Sequence, residues 1–114
     1  MKSYNGFTPE QREYGDSIVK KAIERGDLKP LSEAVCCLCG QDKGIRHYHQ
    51  EDYSPDKVVA DSHCLCWRCH MMLHSRYKHP ESFAKYMIDV TIYHKRFAPV
   101  FRHDFDLLNE HLID

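Results

Sequence analysis

The sequence predicts one small domain in which helices at either end flank a centre braced by metal. Two cysteine pairs at knuckle spacing, Cys36-x2-Cys39 and Cys66-x2-Cys69, mark the brace. Apolar residues recurring at helical spacing mark the flanks. The chain has 114 residues and 42% hydrophobic content, enough for a single modest core. The expected organisation is therefore a single domain over 1–114, with an N-terminal helix at 9–25, a zinc-braced core at 30–80 and a helical extension over 81–114.

The first helix has a marked start. Thr8-Pro9-Glu10-Gln11 offers Thr8 as N-cap, Pro9 at the first helical position and Gln11 to close a capping box. Ile18, Val19, Ala22 and Ile23 supply the apolar stripe, and Gly26 supplies the stop. Its simplest role is packing. After His79-Pro80, the repeat of Phe83, Met87 and Val90 predicts a second long helix, and His103 to Leu112 predicts a short third one beyond Ala98-Pro99. Tyr77, Tyr86 and Tyr93 could form a base-stacking row, but aromatic residues at this spacing usually belong to a core.

Sixteen Lys+Arg against 17 Asp+Glu give a formal charge of −1, and the pI is near 6.7. That argues against gripping nucleic acid by charge alone. The centre holds six of the nine histidines, so its charge responds readily to acid. The opening MKSYNGFTPEQ lacks the apolar run of a signal peptide, and no window is apolar enough for a membrane span. The expectation is a cytoplasmic protein whose six cysteines stay reduced and serve metal rather than disulfides.

With 26 residues between Cys39 and Cys66, the two pairs can converge on one zinc ion as a tetrahedral set of thiolates. Neither pair is expected to open a helix after a strand in the manner of a thioredoxin redox centre. Cys37 and Cys64 stand one residue too close to a partner for a knuckle and are expected to be buried bystanders.

The stretch CLCGQDKGIRHYHQEDYSPDKVVADSHCLCWRCHMMLH resembles the HNH, or ββα-metal, endonucleases, in the form braced by a four-cysteine zinc. The similarity covers about residues 25–75 and rests on HQEDYSPD and LCWRCH. It implies a small α+β fold, a ββα-metal finger between flanking helices. His49 takes the place of the general base at the end of the first strand, and Asp61 stands where the motif has a central Asn. His70 and His74 fall on the closing histidines, where they would hold a catalytic divalent ion. The position before the base, usually His or Asp, is Tyr48, a poor ligand at neutral pH because a phenol has a pKa of about 10. His47 or Asp52 is the possible substitute.

The implied chemistry is compact. His49 as neutral imidazole would activate water, and Asp61 or a carbonyl would hold its other nitrogen. A divalent ion would stabilise the leaving 3′ oxygen, with Mn²⁺ suiting two imidazoles better than Mg²⁺. The expected function is an HNH-type DNA endonuclease or nicking enzyme of low sequence specificity. The alternative is a non-catalytic zinc-binding module, or an inactive HNH-like protein, that binds nucleic acid or a protein partner; a redox regulator built on the spare cysteines ranks last. The oligomeric state, monomer or homodimer, is left open.

Overall fold

A computed structural model describes residues 1–112 and 114. The helix α1 spans Pro9–Arg25. Its capping box is closed on both sides: Gln11 N donates to Thr8 Oγ1 at 3.2 Å and Thr8 N to Gln11 Oε1 at 2.8 Å. Gly26 ends it in the left-handed region at φ 84°, where a Cβ would be strained. A 3-10 turn at Leu31–Glu33 leads into the first cysteine pair.

Strand β1, Arg46–His49, pairs antiparallel with β2, His63–Cys66, in the register His47 opposite Leu65 and His49 opposite His63. Helix α2, Trp67–His74, follows β2 without a break. Cys66 closes the strand and caps the helix, its Sγ accepting from Cys69 N at 3.4 Å. The second cysteine pair thus does open a helix after a strand, contrary to expectation. The spacing could not reveal this, because a cap made by a cysteine sulfur is invisible to rules built on Ser, Thr, Asp and Asn.

Helix α3 spans Pro80–Thr91. Its buried face is Ser82, Tyr86 and Val90: Val90 lies where periodicity put it, while Phe83 and Met87 of the same stripe are half-buried on the shoulder. Only Tyr86 of the three tyrosines is core; Tyr77 and Tyr93 are exposed. The expected third helix is reduced to a 3-10 turn at Phe105–Leu108, capped by Asp104. A segment this short rarely sustains an α-helix of its own.

The apolar residues gather in two clusters. One joins Cys36, Cys39, Cys66 and Cys69 to Leu65, Trp67, Met72, Tyr86, Val90, Val100 and Leu108. The other sets Val19 of α1 against Tyr53 and Val58 of the segment between the strands. Val100 lies against the residue that precedes β1, its carbonyl accepting from Ile45 N at 2.7 Å. That close approach needs Gly44 beside it, where a Cβ would meet Val100 O at 2.5 Å. Among the described residues no helix is long and apolar enough to cross a membrane.

Candidate functional site

Cys36, Cys39, Cys66 and Cys69 are all buried, with their Sγ atoms within 4.8 Å of one another. Cys39 and Cys66 Sγ are 3.6 Å apart, against about 3.8 Å for two thiolates on a tetrahedral zinc with 2.3 Å bonds. The local chain builds the cradle from two turns. Gly40 N closes on Cys36 O at 2.9 Å after the first pair, and the first turn of α2 carries the second. Hydrogen bonds from the three neighbouring thiols hold Cys36 low and the Cys39 thiol is lowered to about 7, while hydrogen bonding to Cys36 and Cys39 pushes Cys66 and Cys69 up. Alone, the cluster does not ionise all four thiols. A divalent cation would let all four ionise, so the donor set fits a structural metal ion such as zinc.

The two remaining cysteines differ from expectation in one respect. Cys64 is buried, but Cys37 is exposed on the knuckle turn, its backbone N–H donating to Cys64 O at 2.9 Å. The turn that aims Cys36 and Cys39 inward aims Cys37 outward and leaves Leu38 partly buried against the cluster.

Alternation along β1 puts His47 and His49 on the face turned toward α2, and the i, i+4 spacing puts His70 and His74 on the facing side of the helix. One nitrogen from each of His49, His70 and His74 falls within a 4.8 Å group. His70 and His74 Nε2 are 3.0 Å apart, which matches two nitrogens at right angles about 2.1 Å from a shared ion. Ring centroids of His49 lie 5.2 Å from His70 and 5.1 Å from His74. Burial depresses the pKa of His49 and His74 and pushes that of His70 down to about 3, so all three sit as neutral rings, the form that ligates metal or accepts a proton.

Tyr48 points to the opposite face of β1 and donates its hydroxyl to Lys29 O at 2.5 Å, outside the histidine group. Asp52 is also outside it, its Oδ1 accepting from Ser54 N at 2.8 Å. Asp61 does not hold the ring of His49 directly. Its Oδ2 accepts from the backbone N–H groups of Glu51 at 2.7 Å and Asp52 at 2.8 Å, fixing the loop that leaves β1.

The ring of His49 is held instead by Glu51, whose Oε2 lies 2.5 Å from Nε2. Arg76 donates to the other oxygen, Oε1, at 2.6 Å, and the Tyr4 hydroxyl donates to Oε2. Tyr4 also packs edge-on against His49 and His74, at centroid distances of 6.0 and 5.4 Å. Sequence reasoning missed all three residues. The pattern His49-x-Glu51, two residues on one side of an extended segment, was the available signal for Glu51. Tyr4 and Arg76 lie 47 and 25 residues from Glu51, and no local spacing joins them. Comparison with known proteins finds no matching family model, curated protein or solved structure.

Proposed function

We propose that this chain is a metal-dependent DNA endonuclease or nicking enzyme of the HNH, or ββα-metal, type, acting with low sequence specificity. One observation carries the reading: His49, His70 and His74 bring their nitrogens within 4.8 Å of one another, with His49 held by Glu51. In this reading zinc at the four cysteines is structural, and Mn²⁺ or Mg²⁺ occupies His70 and His74. The ion would supply charge stabilisation at the leaving 3′ oxygen.

The residues carry the rest. A neutral His49 that donates Nε2–H to Glu51 keeps Nδ1 bare, so the base nitrogen is Nδ1 and the carboxylate offsets the charge the ring gains on taking a proton from water. Arg76 and Tyr4 hold that carboxylate to one rotamer. Asp61 serves the same end from the backbone side by fixing the loop that bears Glu51. A site this small touches few base edges, which supports low specificity.

A second reading, a zinc-braced module that docks without cutting, draws on the exposed Ile92, Tyr93, Phe101 and Phe105 near the C-terminus. A supercoiled-plasmid assay with Mn²⁺, Mg²⁺ or EDTA separates the two. The endonuclease reading expects nicking by the wild type with Mn²⁺, loss with EDTA and loss in His49→Ala. Plasmid left equally intact by wild type and variant with every metal would favour the docking module.

A further inference from the structure

We propose that His47 is a positioning residue of the second metal centre, holding the ring of His70 by its far nitrogen and not ligating the ion itself. The inference rests on the assignment of His70 and His74 as the metal pair. His70 has both ring nitrogens engaged: Nε2 lies 3.0 Å from His74 Nε2, and Nδ1 lies 3.0 Å from His47 Nδ1. An imidazole gives a metal one nitrogen. With Nε2 turned to the ion, the ring carries its proton on Nδ1 and donates it to a neighbour.

His47 Nδ1 is the acceptor in place. To accept there, the neutral His47 ring carries its own proton on Nε2, so one hydrogen bond sets the tautomer of both rings. His47 is absent from the group of converging nitrogens, which comprises His49, His70 and His74. Its Nδ1 approaches the side of the His70 ring that faces away from His74.

The orientation of His47 is itself supported. Its ring stacks on His103 at 5.9 Å between centroids and 7° between planes. His103 in turn packs edge-on against Trp67, the first residue of α2, at 6.3 Å. The ring that steadies His70 is thereby tied back to the helix that carries His70. This gives the irregular C-terminal segment a part in the centre that its lack of regular structure does not suggest.

The test measures Mn²⁺ binding calorimetrically on the zinc-loaded full chain, without nucleic acid, for wild type, His47→Phe, His47→Asn and His70→Ala. Phenylalanine fills the space without an acceptor, while asparagine places a polar atom where Nδ1 sits. The expected result is a 10- to 100-fold weaker Kd in His47→Phe, recovery to within about threefold in His47→Asn, and unchanged zinc content in both. Wild-type affinity in His47→Phe, or equal weakening in both His47 variants, overturns the positioning role. Failure of the underlying assignment looks different. There the wild type takes up no Mn²⁺ beyond the zinc, or His70→Ala binds it as the wild type does, and the role of His47 falls with it.

Discussion

His49 Nε2 and Glu51 Oε2 meet at 2.5 Å at the end of β1, and Arg76 grips the other oxygen of the same carboxylate. His49 is buried while Glu51 reaches solvent, so the pair forms a short link from the interior of the histidine group to its rim. Burial lowers the pKa of His49 even against this carboxylate, which keeps the ring neutral and able to take a proton.

From this pair the first prediction follows. Glu51→Gln retains an acceptor and the size of the side chain but removes the charge, and plasmid nicking should fall about 100-fold with zinc content unchanged. Nicking at the wild-type rate in Glu51→Gln would show that the carboxylate does not assist His49.

Asp61 uses a single oxygen, Oδ2, for both backbone N–H groups it holds. Asp61→Asn keeps an equivalent carbonyl oxygen and should cost little. Asp61→Ala strands two donors and should cost about 2 kcal/mol of stability, read by urea unfolding. Equal losses in the two variants would mean that the charge, not the acceptor geometry, matters. Under the proposed HNH-type reading the motif would have Asn here, and the shared ability to accept through one oxygen is a physical reason why Asp could stand in its place.

The cysteines give a sharper contrast. Cys36 is buried in the four-thiol cluster, while its neighbour Cys37 is exposed. Cys36→Ser should release the metal and unfold the centre of the chain; Cys37→Ser should hold one zinc per chain and unfold as the wild type does. Zinc measured by atomic absorption on both proteins decides the matter. Loss from Cys37→Ser would redraw the ligand set.

His111 predicts a pH response outside the cysteine and histidine groups. Its half-buried ring packs edge-on against Tyr86 and Phe97, with Nε2 accepting from Arg68 Nη1 at 3.2 Å. Burial lowers its pKa in spite of the neighbouring Glu110. Below about pH 6.5 the unfolded chain therefore binds a proton that the folded chain refuses, and stability is lost as pH falls through that value. His111→Phe should flatten this part of the stability curve in denaturant titrations at several pH values. Parallel curves for wild type and variant would contradict it.

Legibility in the sequence followed the range of the interaction. The capping box and Gly26 define α1 within a few residues, and both appear in the chain as written. The four cysteines were readable because knuckle spacing is a local constraint, even though the turns come from distant segments. On α3 the periodicity finds Val90 but not Tyr86, which is drawn inward by a partner that periodicity cannot supply: its hydroxyl reaches Cys69 Sγ at 3.1 Å. The Glu51, Arg76 and Tyr4 network depends on three parts of the chain meeting at one carboxylate, and only the folded molecule puts them together.

The separation of the two apolar clusters has a dynamic consequence. Helix α1 is anchored on Tyr53 and Val58, not on the cluster that contains the thiols. A metal held in the cysteine cradle would cross-link one half of the molecule, whereas the other is fastened by a few side chains, with Tyr4 and the Glu51 loop on the border between them. In amide exchange, α1 should open at lower free energy than α2, in a partial unfolding that leaves the cradle shut. Such an excursion would lift Tyr4 from His49 and His74 and expose the histidines transiently, making entry to the site a breathing motion of the weaker half. Matching exchange rates in the two helices would mean that the halves open together.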